Sequence, residues 1–248
     1  MPRQARVKSE SGIYHIMLRG INQQQIFEDK EDNLKFLEIL SHYKEVCGYK
    51  VYAYCLMGNH LHLLIKEGNA PLEEMFKRIC GRFVYWYNVK YGRSGHLFQD
   101  RFRSEPVDKE RYLFTVLRYI HQNPVKAGLC ETVDAYPYSS FREYLGGSLI
   151  TDTSDIFQLI SLASLIQWHR QLEDTPCLDI PDRVASRMTD EHAKALIHEH
   201  TGCDSAADFQ RLAPHQRDRY LSLLRKKGIS LRQLSRLTGI SINIVRNL

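Results

Sequence analysis

The chain has no C-x-x-C pair. Its six cysteines, Cys47, Cys55, Cys80, Cys130, Cys177 and Cys203, lie far apart. That spacing excludes a zinc ribbon and reads as small core residues of a reducing compartment. No apolar run approaches the ~20 residues needed to cross a bilayer. The basic start, Met1-Pro2-Arg3-Gln4-Ala5-Arg6, is followed by no apolar segment of the signal-peptide kind. No membrane partner is therefore expected, and the expected location is cytoplasmic. A strong excess of one charge is also missing, since 248 residues carry a net charge of only +5. Hydrophobic content of 43% and charged content of 25% are ordinary for a globular chain. The length allows one large domain or two small ones.

What charge there is lies unevenly. Between Lys77 and Lys126 stand 11 Lys/Arg against 4 Asp/Glu, and from Arg217 to Leu248 stand 8 against 1. Two basic blocks around a neutral middle point to two surfaces for a polyanion, although exposed helix faces are often Lys/Arg-rich for no other reason.

Gly12–Arg19 reads as a strand. Asp29–Val46 reads as a helix with an apolar side of Leu34, Phe36, Leu37, Leu40 and Tyr43, and Gly48 stops it. Lys50–Met57 and His60–Lys66 read as two strands about the turn dipeptide Gly58-Asn59. Pro71 opens a second helix whose core residues are Leu72, Met75, Phe76, Ile79, Phe83 and Trp86. A fourth strand is expected over Leu97–Pro106, then a third helix from Asp108 to about Gln122, ending before Asn123-Pro124. The order β-α-β-β-α-β predicts an α+β fold, a ferredoxin-like antiparallel four-stranded sheet with helices on one face. The expected domains are 1–147, a connector over 148–189 with a linker at 174–183, and an all-α region over 190–248. That region ends in Leu231–Leu237, Gly239-Ile240-Ser241 and Ile242–Leu248, a helix-turn-helix-like segment in the second basic block. Arg232, Arg236, Asn243 and Arg246 are its candidate DNA contacts.

The chemistry concentrates in His60-Leu61-His62. A strand turns residues i and i+2 to one face, so the two imidazoles project side by side, half of a divalent-metal site. The third helix is the best source of the rest. Tyr119 and Asn123 are four apart and share one flank, so a phenol and an amide oxygen face the same way. If that flank meets the histidines, a metal, an oxygen ligand and a nucleophile come together. A tyrosine nucleophile is useful where a covalent phosphoester must conserve bond energy, and a divalent ion on a phosphate oxygen activates the target. Mg2+ or Mn2+ suits a site that shares its ion with phosphate. Each piece alone has an ordinary structural explanation; the set is less easily explained so. Lys77, Arg78, Arg82, Arg101, Arg103, Arg111, Arg118 and Lys126 are candidates to track a DNA backbone, with Tyr85, Tyr87 and Tyr91 as stacking faces.

Five stretches carry a family resemblance. They are Tyr14-His15-Ile16-Met17-Leu18-Arg19-Gly20, Met57-Gly58-Asn59-His60-Leu61-His62, Gly95 to Ser104, Tyr119 to Leu129, and Tyr136-Pro137-Tyr138-Ser139-Ser140. In this order, over about 14–145, the chain resembles the single-tyrosine transposases of the HUH nuclease superfamily, and most of all the group associated with repetitive extragenic palindromes. The resemblance implies that His60 and His62 bind the metal, that Tyr119 is the nucleophile, and that Asn123 completes the metal shell. It implies single-stranded or hairpin DNA as the partner and cleavage through a 5′-phosphotyrosine link with release of a 3′-OH; many relatives are homodimers and some act as monomers, so either state is open. A regulator that binds a hairpin or operator with an idle catalytic site is the second reading. A hydrolase of small phosphodiesters is the third, and it leaves the basic blocks and the tyrosine unexplained.

Overall fold

The computed structural model describes residues 6–171, 175, 177–179 and 190–246. The chain divides into two compact units, Met1–Asp179 and Ile180–Leu248. In the first, strands β1 (Ile13–Arg19), β2 (Lys50–Met57), β3 (His60–Lys66) and β4 (Arg103–Pro106) form one antiparallel sheet in the order β2-β3-β1-β4. Helices α1 (Lys30–Cys47) and α2 (Leu72–Lys90) cover one face. Helix α3 (Glu110–Lys126), with α4 (Phe141–Leu145), α5 (Thr153–Phe157) and α6 (Leu162–His169), covers the other. Among the described residues no helix is long and apolar enough to cross a membrane.

Alternation along the strands creates the two faces. Tyr14, Ile16 and Leu18 of β1 and Leu61, Leu63 and Ile65 of β3 enter the core under α1 and α2, with Phe36, Phe76 and Phe83. The intervening residues of both strands turn toward α3. Asp29 and Asp32 form a capping box at the start of α1. Lys90, at the end of α2, reaches Asp29 and the buried Asp32, each at 2.8 Å, and so ties the two helices together. Gly48 ends α1 at φ 67°, the left-handed conformation that a glycine adopts without steric cost.

Three expectations change. First, the helices lie on both faces of the sheet, because α3 has a strongly apolar stripe of its own (Leu113, Val116, Leu117, Ile120) that buries against β2 and β3. Second, the fourth strand is short. Phe98 makes only an isolated bridge to Gly20. The Asp100 side chain takes the Arg101 N–H at 2.7 Å, competing with the ladder, and Phe102 turns into the core 4.5 Å from Phe76. Third, α3 does not stop at Gln122 but carries Pro124 inside its last turn. Burial of Ile120, His121, Gln122, Asn123 and Pro124 outweighs the hydrogen bond a proline cannot donate.

The segment expected as a connector contributes α5 and α6 to the first unit. A buried polar chain fastens α3 to its surroundings. His169 Nδ1–H donates to the Leu165 carbonyl at 2.8 Å, which leaves its Nε2 to accept from His121 Nδ1–H at 2.9 Å; His121 Nε2 in turn lies 2.8 Å from Ser140 Oγ.

The second unit comprises α7 (Asp190–Thr201), α8 (Ala206–Arg211), α9 (Pro214–Lys226), α10 (Leu231–Thr238) and α11 (Ile242–Arg246). Phe209, Leu221, Leu224, Leu234 and Val245 are in its core. Gly239 caps α10 at φ 69°. Most of the expected linker at 174–183, the last two residues of the second C-terminal helix and the side chain of Arg232 lie outside the described residues.

Candidate active site

Strand β3 presents His60 and His62 toward α3, with ring centroids 5.2 Å apart and planes at 87°. The turn ahead of them is pinned from below: Gly20 N–H donates to the Asn59 carbonyl at 2.9 Å, and the Gly58 carbonyl accepts from Ile26 at 2.8 Å and Phe27 at 3.0 Å. His60 Nδ1 lies 2.7 Å from Asn59 Oδ1. An amide oxygen only accepts, so this contact places the His60 proton on Nδ1 and the lone pair on Nε2. His62 is fully buried. Its Nδ1 lies 3.0 Å from Nε2 of His15 on β1, and its Nε2 is buried with no hydrogen-bond partner among the described residues. Burial pushes the pKa of His15 below, and that of His62 well below, the usual histidine range. Both rings are thereby held neutral, the form in which an imidazole binds a metal.

Tyr119 comes down from α3 onto this pair. Its ring lies 5.6 Å from that of His62 and 5.8 Å from that of His15. Its hydroxyl donates to Asp179 Oδ2 at 2.9 Å. Burial, and then the Asp179 charge, push the phenol pKa up, so the resting group is the neutral hydroxyl. Lys126 Nζ stands 5.4 Å over the Tyr119 ring. Asn123 follows Tyr119 by one turn and is buried, and its side chain acts on the Tyr119 hydroxyl, lowering the phenol pKa against the larger effect of burial. The added last turn of α3 keeps Asn123 and Lys126 on the helix that carries Tyr119.

Among the described residues no three His, Cys, Asp or Glu side chains group to hold a metal ion. The donors that fit one here are two imidazoles and an amide. A buried imidazole nitrogen with no partner among the described residues is what a site for a divalent ion leaves when only the protein is considered.

The basic candidates do not form one track. Lys77, Arg78 and Arg82 are exposed on α2, across the sheet from Tyr119, and Arg78 pairs with Glu74. Arg103 pairs with Met17 in register, which puts it on the face of His15 and His62. Arg101, Arg111 and Lys126 are exposed. Arg118 departs from its expected role: it is 8% exposed, its guanidinium lies 4.2 Å over the Trp168 ring, and it donates to the Trp168 carbonyl at 3.3 Å. It docks α6 on α3. Of the aromatic candidates, Tyr85 is exposed and Tyr87 is a core residue. Arg236, Asn243 and Arg246 are exposed on α10 and α11.

Three residues at the site were not anticipated: His15, Glu105 and Asp179. His15 stands in the same alternating pattern as His62, and its place follows once β1 is known to pair with β3. Asp179 is 60 residues from Tyr119 in a proline-containing stretch, and no spacing betrays it. Its neighbour Leu178 donates its N–H to Glu105 Oε2 at 3.1 Å, which lays this stretch along the site.

The model of the family described as "Transposase IS200 like" matches residues 8–123. A putative REP-associated tyrosine transposase of Haemophilus influenzae is 34% identical over 119 residues, 42% of this chain and 67% of the relative. A solved REP-associated tyrosine transposase bound to a REP hairpin is similar in fold, with a TM-score of 0.54 at 16% identity over 75% of this chain and 100% of that one. A putative transposase from Deinococcus radiodurans reaches a TM-score of only 0.34 at 18% identity, over 49% of this chain and 97% of that one. The chain belongs to the IS200-like transposase family, and within it the similarity is to the REP-associated tyrosine transposases.

Proposed function

We propose that this transposase cuts and rejoins single-stranded DNA beside hairpins through a covalent link to Tyr119. The observation that carries the proposal is the buried Tyr119 ring set against the strand histidines His15 and His62, the latter with a buried nitrogen that has no partner among the described residues. The solved relative of similar fold is bound to a hairpin, which supports hairpin DNA as the partner here.

The phenol oxygen attacks phosphorus, a P–O bond to tyrosine forms, and the bond from phosphorus to the 3′ oxygen breaks. The products are a 5′-phosphotyrosine and a free 3′-OH. The phenol proton must leave as the new bond forms, and the Asp179 carboxylate is the acceptor in contact with it. The departing 3′ oxygen takes up a proton, so the step is balanced, and attack by a 3′-OH on the phosphotyrosine reverses it. His60, His62 and Asn123 would hold a Mg2+ or Mn2+ ion, which would supply a Lewis acid for the phosphate. Lys126 and Arg103 are placed to offset charge on the phosphate oxygens. The second unit is proposed to add duplex contacts through Arg232, Arg236, Asn243 and Arg246 on α10 and α11, used as a helix-turn-helix.

The test is a hairpin-flanked single strand incubated with the full chain and Mn2+, denatured, and examined by mass spectrometry. A nucleotide adduct on Tyr119, absent in Tyr119→Phe with DNA binding retained, supports the proposal. Cleavage by the Phe variant at the wild-type rate excludes Tyr119 as nucleophile. Retarded DNA with no cleavage in any divalent ion favours the regulator with an idle site.

A further inference from the structure

We infer that His15 is a positioning residue which, with Glu105 behind it, fixes His62 as the Nδ1–H tautomer and turns the Nε2 lone pair into the site. The use made of that lone pair rests on the proposed role of His62 as a metal ligand; the tautomer itself does not.

The three groups lie in a row across three strands. Glu105 of β4 faces His15 of β1 in register, and its Oε2 is 3.9 Å from His15 Nδ1. His15 Nε2 is 3.0 Å from His62 Nδ1 on β3. His15 sits diagonally from His62, since Met17 is the residue directly opposite, and a diagonal neighbour is within reach of a ring. Both imidazoles are fully buried. Only one proton can occupy the 3.0 Å contact, so the two rings share two arrangements.

In the first, His15 carries its proton on Nε2 and donates to His62 Nδ1. That leaves a His15 lone pair turned toward the Glu105 carboxylate. It also puts the His62 proton on Nε2, a buried donor with no acceptor among the described residues. In the second, His15 carries its proton on Nδ1, facing the carboxylate, and its Nε2 accepts from His62 Nδ1–H. His62 Nε2 is then a bare lone pair. At 3.9 Å the Glu105–His15 contact is longer than a hydrogen bond, but the attraction between N–H and carboxylate still favours this arrangement over the repulsion in the other. Each arrangement leaves one buried N–H outside hydrogen-bond distance among the described residues, on His62 Nε2 in the first and on His15 Nδ1 in the second. The difference is that the His15 Nδ1–H faces a carboxylate, and this attraction selects the second tautomer. A ring whose second nitrogen is fixed by such a partner is oriented and made more basic as a ligand.

The test uses the full chain, 15N-labelled and free of divalent ions, with histidine tautomers read from long-range 1H–15N correlations. The expected result for His62 is a protonated Nδ1 and an unprotonated Nε2. His15→Gln keeps an acceptor in Oε1 and should keep that tautomer. His15→Leu removes it, so His62 should move toward Nε2–H, and Mn2+ affinity, followed by the loss of the free-ion EPR signal, should fall roughly ten- to a hundredfold. A wild-type His62 protonated at Nε2 overturns the inference, and so does a His15→Leu protein with the wild-type tautomer. If His15→Leu does not fold, the wild-type spectrum decides by itself. A wild-type protein with the expected tautomer that binds no Mn2+ removes the metal-ligand reading and upholds the tautomer relay.

Discussion

At the scale of single residues, the proposed reaction turns on the balance at Tyr119. The phenol is buried and hydrogen-bonded to a carboxylate, and both raise its pKa. In the proposed reaction it is therefore not activated by prior ionisation, and its proton has to be removed as the bond to phosphorus forms. Asp179→Asn keeps an acceptor in place but removes the charge and the basicity. Single-turnover adduct formation should slow by about 10²–10⁴-fold, the usual contribution of a general base, with DNA binding unchanged. A rate within a factor of two of wild type would assign the proton to another acceptor. The histidines follow a related rule. For His15, burial penalises the cation more than the Glu105 and Asp179 charges favour it; for His62, burial and the neighbouring histidines act in the same direction, and both favour the neutral ring.

At the scale of elements, α3 is the piece on which the site depends. It brings Tyr119, Asn123 and Lys126 to the sheet, and α6 holds it from behind through the Arg118–Trp168 stack and the His121–His169 contact. Burial lowers the His169 pKa to about 4, against ~6.5 in an unfolded chain. Between those values the unfolded chain binds a proton that the native one does not. Stability from this group is thus complete above the unfolded value. It falls as pH drops through 6.5 and is fully lost below about 4. The loss amounts to about 3 kcal/mol if His169 acts alone, and His121 shifts in the same direction. Urea midpoints at pH 7 and pH 5 should fall for wild type and fall less for His169→Gln. Equal falls would place the acid sensitivity in another buried histidine such as His121, whose pKa is lowered in the same direction.

At the scale of the whole molecule, two units with separate cores carry two basic blocks. In the first unit the sheet divides the basic residues, with Lys77, Arg78 and Arg82 on one side and Arg103 and Lys126 with the site on the other. On the proposed function, a single strand of DNA at Tyr119 would therefore meet only part of the charge counted along the chain. The proposed duplex contacts of the second unit give a clear expectation. Arg236→Ala with Arg246→Ala should weaken binding to duplex DNA and reduce the slope of log affinity against log salt by about 2. Tyr119 adduct formation on a short single strand should remain. An unaltered salt slope would remove α10 and α11 from the DNA interface.

The sequence by itself determined the local pieces. Period-two alternation and turn dipeptides mark β1, β2 and β3, apolar spacing marks α1 and α2, and His60-Leu61-His62 turns two imidazoles to one face, because these follow from dihedral geometry within a few residues. It also determined that Tyr119 and Asn123 share a flank of one helix. Only the tertiary structure decided that this flank meets the histidines, that α3 runs through Pro124, and that Arg118 is a packing residue. The same holds for His15, Glu105 and Asp179, which come from strands and a segment far apart in the chain. Their meeting depends on strand register and on which apolar faces bury together, and no spacing along a single chain encodes that.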